Sequence, residues 1–142
     1  MQRHSVTVAD DDEGIRQRIA KILAADYDVI ALVENGRQLV EMARALAADL
    51  AIVDISMPVL NGLEAVKQLK MHSARTKVIF FTANASPAYV RRAFQNGAAA
   101  YVLKACGAED LPVGLRAVLA GNTFISPAIE FSEPLSFISA GA

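Results

Sequence analysis

Five short apolar segments alternate with five segments of helical period along the chain, and this alternation constrains the fold more than any other feature. The apolar segments are rich in β-branched and aromatic residues, and their hydrophobic positions run almost continuously. They span residues 5–9 (SVTVA), 29–33 (VIALV), 50–54 (LAIVD), 77–82 (KVIFFT) and 100–104 (AYVLK). Continuous runs of this length are typical of strands buried on both faces of a parallel sheet.

The segments between these runs place hydrophobic side chains three or four positions apart, as on one face of an α-helix. Their apolar positions are Ile15, Ile19, Ile22 and Leu23; Leu39, Met42, Ala43 and Leu46; Leu63, Val66 and Leu69; Val90, Ala93 and Phe94; and Leu111, Leu115, Val118 and Leu119. Turn-forming dipeptides predict a turn at residues 35–36, helix starts at 61–62 and 86–87, and helix ends at 96–97 and 121–122.

A strand followed by a helix, repeated five times, predicts a doubly wound α/β domain with a five-stranded parallel sheet and helices on both faces. Right-handed crossovers reduce the possible topologies to a few. In open sheets of this kind, ligands bind beyond the carboxyl ends of the strands. The residues that follow each strand are therefore the first candidates for a functional site.

Composition limits the class of protein. The chain has 142 residues, of which 54% are hydrophobic and 20% charged, enough for one domain with a core rather than a disordered segment. A net charge of −1 gives no reason to expect a nucleic-acid-binding surface. Cys106 is the single cysteine, so an internal disulfide is excluded and a reducing compartment is expected. Since no apolar run reaches the roughly 20 residues of a membrane span, we expect a soluble cytoplasmic domain.

Charged and hydroxyl side chains follow four of the five predicted strands. Asp10 and Asp11 follow the first strand, Asp54 ends the third, Thr82 ends the fourth and Lys104 ends the fifth. The carboxyl ends of parallel strands share one edge of a sheet, so these side chains are expected to cluster there. Clustered carboxylates repel one another, and a hard divalent cation such as Mg²⁺ relieves that repulsion while accepting oxygen ligands.

Asp12 and Glu13 extend the run of acids begun by Asp10 and Asp11. They fall where the first helix begins, and negative charges near a helix N-terminus are stabilising by about 0.3–1 kcal/mol each. We therefore interpret these two residues as helix-start charges.

A carboxylate beside a divalent cation can act as a nucleophile toward phosphorus. Asp54 suits this role best, because it is the single acid on a strand expected to adjoin the first strand at the centre of the sheet. A lysine and a hydroxyl could hold the other phosphoryl oxygens. Taken singly, each residue has an ordinary explanation as a cap, turn, strand or surface residue. The coincidence of all of them at one edge is what favours phosphoryl chemistry.

Four pieces of the sequence carry a family resemblance: ADDDEGIRQRI, IVDISMPVLNGLEAVKQL, VIFFTA and GAAAYVLK. The most specific is the pattern D-x-x-M-P-x-x-N-G at residues 54–62. In this order they resemble the receiver domain of bacterial two-component response regulators, of the NarL/FixJ-like type, over residues 6–121. The resemblance implies the (βα)5 flavodoxin-like fold of CheY-like domains, with strand order 2-1-3-4-5.

The resemblance also implies a phosphoacceptor and a metal site. Asp54 would take a phosphoryl group from a sensor histidine kinase, and Mg²⁺ would be the cofactor. Asp11, Asp54 and the backbone carbonyl of Ser56 would bind the cation directly, and Asp10 would bind it through water. The alternative pair Asp11 and Asp12 is disfavoured, because it puts the following arginine out of step with the family's pattern.

Three further residues would carry the response, again by resemblance. Lys104 would contact the phosphoryl group, while Thr82 and Tyr101 would form a switch pair in which the hydroxyl moves toward phosphorus and the ring changes orientation. Ser56 and Asn84 occupy positions that tune phosphoryl lifetime in this family.

Residues 1–121 are expected to form the receiver domain, and residues 122–142 a C-terminal tail or a truncated linker. NarL/FixJ-like proteins normally continue into a helix-turn-helix domain, but no basic recognition-helix pattern follows Gly121. We expect no direct binding of nucleic acid or membrane by this chain. The apolar tail is interpreted as a linker stub that packs partly on the domain, in preference to a contact segment for a partner or a second copy.

Three functions remain open on the sequence. The first is a signalling switch that alters a partner-binding or homodimer surface upstream of transcriptional control, with only self-phosphorylation and autodephosphorylation as chemistry. The second is a phosphatase of the haloacid-dehalogenase-like type, but that needs a nucleophile on the first strand and a late acidic pair at a strand end. The pair Glu109 and Asp110 falls instead in a predicted first helical turn. The third, a phosphorylation-independent interaction module, predicts the loss of site residues, and none is missing.

Overall fold

The computed structural model describes residues 3–131 of the chain. Strands and helices alternate along these residues, with one short 3₁₀ turn after the fifth strand. They are β1 (His4–Ala9), α1 (Glu13–Leu23), β2 (Tyr27–Val33), α2 (Gly36–Ala45), β3 (Leu50–Val53), α3 (Gly62–His72), β4 (Lys77–Thr82), α4 (Pro87–Gln95), β5 (Ala98–Leu103), the 3₁₀ turn Lys104–Cys106, α5 (Gly107–Leu119) and β6 (Phe124–Ile125).

The strands form one parallel sheet in the order β2-β1-β3-β4-β5-β6. This confirms the doubly wound α/β class and the strand order 2-1-3-4-5. A sixth strand extends the five-stranded prediction: Phe124 and Ile125 pair with Ala100 and Tyr101 at the β5 edge. Two residues beside a proline-containing stretch are too few to show a strand period, so β6 could not be predicted from the sequence.

Two hydrophobic cores lie on opposite faces of the sheet. One joins α2, α3 and α4 to the sheet and contains Leu39, Leu69 and Phe80. The other joins α1 and α5 to the sheet and includes Ile19 and Leu115. Complete burial of each such side chain stabilises the fold by about 1.5–3 kcal/mol. The two-sided burial explains why the central strands are continuous apolar runs in the sequence.

Strand β2 departs from that expectation. Residues 27–32 alternate between partly buried and exposed positions, and Ile30 and Leu32 are 40% and 39% exposed. Among the described residues β2 pairs with β1 alone, at the edge of the sheet. The flanking helices cover an edge strand less completely than a central one, and composition does not reveal which strand lies at the edge.

The helix boundaries agree with the starts and ends predicted from turn-forming dipeptides, with one exception. Asn61 caps α3 by accepting a hydrogen bond from the N–H of Glu64 at 3.0 Å, and Pro87 is the first residue of α4. Residues 35–36, expected to form a turn, instead begin α2. The Asn35 side chain accepts a hydrogen bond from the Gln38 N–H at 2.9 Å. An asparagine serves equally well in a turn and as an N-cap, so the dipeptide alone was ambiguous.

Residues beyond Gly121 pack on the domain as far as the structure describes them. Ser126 and Ile129 are 1% and 6% exposed, and Ile129 belongs to the core beneath α4. Apolar residues Leu135, Phe137 and Ile138 of the tail lie outside the described residues. Within residues 3–131, no helix is both long enough and apolar enough to cross a bilayer.

Candidate functional site

The pairing of β1 with β3 brings the first two acidic positions together. The backbone N–H of Asp54 donates to the carbonyl of Ala9 at 2.9 Å, so Asp54 lies beside Asp10 at the carboxyl end of the sheet. One carboxylate oxygen from each of Asp10, Asp11 and Asp54 falls within 4.8 Å of the others. The structure therefore assembles the expected acidic cluster.

The three acids differ in their exposure. Asp10 is 1% and Asp54 is 5% exposed, whereas Asp11 is open to solvent. A shallow cleft of about 460 Å³ opens above them and is lined by Asp11, Asp54, Ser56, Thr82, Ala83, Asn84 and Lys104. A small anionic group can therefore reach Asp54 from solvent.

The remaining acids of the N-terminal run have structural roles. Asp12 is the N-cap of α1, and its side chain accepts a hydrogen bond from the N–H of Ile15 at 3.1 Å. Its own N–H donates to Oδ1 of Asp10 at 3.0 Å, which fixes that carboxylate. Glu13 lies in the first turn of α1. Four consecutive acids are thus divided between two at the cluster and two at a helix start.

Lys104 supplies the positive charge at the site. The 3₁₀ turn after β5 begins at this residue, and its Nζ lies 2.8 Å from Oδ2 of Asp10 and 3.2 Å from Oδ2 of Asp54. One ammonium cannot balance three carboxylates, so the cluster keeps a net negative charge when all are ionised. Oxygen ligands and excess negative charge are the features that suit a hard cation such as Mg²⁺.

Burial and neighbouring charges shift the pKa values of Asp54 and Lys104. Burial raises the pKa of Asp54, the carboxylate of Asp10 raises it further, and Lys104 only partly offsets the increase. For Lys104, burial alone would lower the pKa, but the carboxylates of Asp10 and Asp54 together raise it above its usual value. Lys104 therefore stays charged at neutral pH, and a further cation near Asp54 would favour its ionised, nucleophilic form.

The loop after Asp54 explains the spacing of the D-x-x-M-P-x-x-N-G pattern. The chain doubles back so that the Gly62 N–H donates to the Ile55 carbonyl at 2.8 Å. A Cβ at Gly62 would lie 2.0 Å from the backbone oxygen of Asp54, so only glycine permits α3 to start against the end of β3. Val59, at the tip, has a positive φ of 69° and is 68% exposed.

Thr82 and Tyr101 are linked through one residue of the loop between β4 and α4. Thr82 Oγ1 accepts a hydrogen bond from the Asn84 N–H at 3.2 Å, and the Tyr101 hydroxyl donates to the Asn84 carbonyl at 2.6 Å. The Tyr101 ring is fully buried, and burial raises the pKa of its hydroxyl. Asn84 thus connects the hydroxyl that lines the cleft with the buried ring behind it, a contact that the sequence did not indicate.

Ser126 bonds to β5 beside the site and, unlike Asn84, was not among the residues predicted from the sequence. Its N–H donates to the Tyr101 carbonyl and its Oγ accepts from the Leu103 N–H, both at 2.9 Å. The sequence marks this position only weakly, because Ser126 follows two apolar residues and precedes Pro127. Such a pair marks the end of an extended segment, but it does not identify what the serine contacts.

Comparison with known proteins agrees with this fold and this arrangement of residues. The family model described as the response regulator receiver domain matches residues 6–116. The chain therefore belongs to the response regulator receiver family, a family of signalling modules. This confirms the resemblance drawn from the sequence motifs.

Individual relatives lie within the same family. The response regulator GacA of Pseudomonas aeruginosa is 33% identical over 126 residues, and the nitrate/nitrite response regulator NarL of Escherichia coli K12 is 31% identical over 127 residues. These alignments cover 87% and 88% of this chain but 59% of each relative, so the chain spans less than two thirds of their length. The isolated receiver domain of RcsB from Salmonella enterica superposes with a TM-score of 0.83 at 27% identity, covering 90% of this chain and 96% of that one.

Proposed function

We propose that Asp54 accepts a phosphoryl group and that this modification switches the domain between two signalling states. The observation that carries the proposal is the position of Asp54, at the base of an open cleft. Its carboxylate oxygens are close to those of Asp10 and Asp11, and Lys104 Nζ is 3.2 Å away. Such a site supplies a nucleophile, a place for a cation and a fixed positive charge.

The donor that suits this nucleophile is a phosphohistidine of a sensor kinase. A carboxylate oxygen of Asp54 forms the new P–O bond while the P–N bond to the donor histidine breaks. The histidine nitrogen leaves with the electron pair and is protonated by solvent. The product is an acyl phosphate on Asp54, and we expect the domain itself to catalyse no more than this transfer and its hydrolysis.

Asp11, Asp54 and the backbone carbonyl of Ser56 would hold Mg²⁺ directly, and Asp10 would hold it through water. When bound, the cation neutralises charge that builds up between the carboxylate and the incoming phosphoryl group. Asp11 suits a direct ligand because it is the exposed acid of the cluster. Asp10 is buried and already paired with Lys104 at 2.8 Å, which suits an indirect role.

Lys104 and Thr82 would respond to the new phosphoryl oxygens. The Lys104 amine already points at Asp54 and needs only to exchange a carboxylate contact for a phosphoryl contact. Movement of the Thr82 hydroxyl toward phosphorus would weaken its bond with Asn84, whose carbonyl holds the Tyr101 hydroxyl. The surface around α4 and β5 would then change, which is a two-state element biased by one charged group.

The output that fits this surface is association with a partner or with a second copy of the chain. One solved structure of the relative RcsB contains two dimers bound to DNA. We propose by analogy that the chain acts upstream of transcriptional control, in the cytoplasm, with homodimer formation after phosphorylation.

Phosphorylation can be tested by intact-mass measurement after incubation with acetyl phosphate and Mg²⁺. We expect a mass increase of one phosphoryl group, lost in Asp54→Asn. Asp12→Asn is the matched control, because asparagine caps a helix as well as aspartate does and the label should persist. A label that survives in Asp54→Asn but disappears in Asp12→Asn would favour the phosphatase alternative. Glu109 and Asp110, in the first turn of α5, give that alternative no late acidic pair at a strand end.

A further inference from the structure

The segment of residues 124–131, called here the C-terminal strap, covers the outer edge of β5. Its first two residues form β6, and Ser126 follows at the point where the strand ends. Ser126 is 1% exposed although it is polar and lies outside the five βα units. A buried serine in such a position calls for a physical explanation.

Ser126 completes the hydrogen-bond ladder of β5 in an unusual way. In a parallel pair, one residue donates its N–H to one partner carbonyl and offers its own carbonyl to the N–H two residues further along. Ser126 donates its N–H to the Tyr101 carbonyl, but its own carbonyl is turned to accept from the Ile129 N–H at 3.0 Å. Its Oγ therefore takes the place of the carbonyl and accepts from the Leu103 N–H at 2.9 Å.

These two bonds fix the β5 backbone at Tyr101 and at Leu103. Leu103 immediately precedes Lys104, whose amine contacts Asp10 and Asp54. Tyr101, which is held by the N–H of Ser126, directs its hydroxyl to Asn84. One residue of the strap thus anchors the backbone of Tyr101, from which the buried ring projects, and the backbone of Leu103, which directly precedes the cation Lys104.

The strap is held in place independently of the phosphoryl site. Ile129 is 6% exposed and is buried in the core that contains Tyr101 and Val90, and Phe131 packs against the same core. Loss of the Ser126 hydroxyl would therefore leave the apolar anchors of the strap in position. Its main effect would be to release the Leu103 N–H and with it the backbone that aims Lys104.

We propose that Ser126 is a positioning residue for phosphoryl binding, acting through Leu103 on the amine of Lys104. This inference rests on the proposed function of Asp54 and extends its site to the C-terminal strap. Because linkage between two sites is reciprocal, a phosphoryl group on Asp54 also holds the strap more firmly on β5. The strap then forms part of the surface that differs between the two signalling states.

The test is the affinity of the full chain for beryllofluoride in the presence of Mg²⁺, measured by isothermal titration calorimetry. Beryllofluoride imitates a phosphoryl group on the aspartate. We expect Ser126→Ala to bind it at least about fivefold more weakly, the lower end of typical couplings between linked sites. Affinity for Mg²⁺ alone should not fall, because neither Ser126 nor Lys104 is a metal ligand in the proposed site.

Ser73→Ala is the matched control. Ser73 is also a buried serine, 5% exposed, and its Oγ lies 2.6 Å from Oγ1 of Thr76 at the opposite end of the sheet. This variant should lose stability but keep wild-type affinity for beryllofluoride. Ser126→Cys, which keeps a weak acceptor of similar size, serves if Ser126→Ala does not fold, and it should weaken binding in the same direction.

A double-mutant cycle with Lys104→Ala identifies the route of the effect. If Ser126 acts through Lys104, then Ser126→Ala should cause no further loss in the Lys104→Ala background. Additive losses in the cycle, unchanged affinity in the folded Ser126 variant, or an equal loss in Ser73→Ala would overturn the inference. Failure of the wild-type chain to bind beryllofluoride would instead reject the proposed function of Asp54.

Discussion

Lys104 Nζ lies 3.2 Å from Oδ2 of Asp54, although fifty positions separate the two residues in the sequence. The contact depends on the order of the sheet, because β3 and β5 flank β4 and their carboxyl ends reach the same cleft. The same amine lies 2.8 Å from Oδ2 of Asp10, which is almost completely buried. Lys104 is therefore a structural counter-ion and, in the proposed function, the group that would meet a phosphoryl oxygen.

Removal of the Lys104 charge is expected to destabilise the metal-free domain. Lys104→Met leaves the buried carboxylate of Asp10 without its ammonium partner, and loss of one member of a buried ion pair costs about 3 kcal/mol. Urea denaturation should detect this loss, and Mg²⁺ should restore part of it by supplying positive charge at the cluster. Lys67→Met, on the exposed face of α3, is the control and should leave stability nearly unchanged. Equal stability of the two variants would contradict the structural role of Lys104.

Asp11 is expected to oppose folding slightly without metal and to support metal binding. Its carboxylate oxygen lies within 4.8 Å of oxygens of Asp10 and Asp54, so the like charges repel. Asp11→Asn should raise the melting temperature of the metal-free chain and reduce the increase that Mg²⁺ produces. Acetyl phosphate labelling of Asp54 should also be slower. In the control Glu13→Gln, Mg²⁺ should raise the melting temperature as much as it does in the wild type. If Mg²⁺ raises the melting temperature of Asp11→Asn by that same amount, Asp11 is not a ligand.

Asp49 predicts a pH dependence of stability that is separate from the phosphoryl site. Its Oδ2 accepts hydrogen bonds from the N–H and Oγ of Ser5 at 3.0 and 3.3 Å. The Ser5 N–H makes the largest contribution to lowering the pKa of Asp49 below its ordinary value. The stability this contributes is present above the unfolded-state pKa of about 3.9 and is lost as pH falls through the lower folded-state value.

Asp49→Asn should therefore be less stable than the wild type at neutral pH, and the difference should disappear in acid. The side chain is 37% exposed, so the difference should stay below about 1 kcal/mol. Urea denaturation across the acid range measures it. Glu41→Gln, an exposed carboxylate of α2, provides the baseline with no such pH dependence. A stability difference between the wild type and Asp49→Asn that grows toward low pH would contradict a lowered pKa of Asp49.

Two glycines are expected to fail for different reasons when replaced by alanine. Gly62→Ala places a Cβ 2.0 Å from the Asp54 backbone oxygen, so α3 must move away from the end of β3. Gly121 has a φ of +88°, and a Cβ added there would meet no atom within 4 Å, so its cost is backbone strain of about 1 kcal/mol. Thermal denaturation should show the larger loss for Gly62→Ala. Gly121→Asn should lose less stability than Gly121→Ala, because asparagine tolerates positive φ. At position 62, every side chain should destabilise the domain.

The sequence determined the class of fold because the spacing of apolar residues along each segment indicates which side chains are buried. Continuous β-branched runs marked the strands, and a spacing of three or four marked the helices that cover them. Since parallel strands end at one edge, it followed that Asp10, Asp11, Asp54, Thr82 and Lys104 would lie at the same edge, and the structure brings them there. The glycine at position 62 was likewise visible in the sequence, although the contact that requires it was not.

Only the tertiary structure decided how completely the helices cover the edge strand β2, what covers β5 and which groups join the switch residues. Ile30 and Leu32 look like core residues in the sequence but remain partly exposed, because helices cover an edge strand incompletely. The bonds of Asn84 with Thr82 and Tyr101, and of Ser126 with β5, use backbone groups that every residue carries. A backbone carbonyl or N–H leaves no mark on the sequence, so its partner is fixed only when distant segments come together in the folded chain.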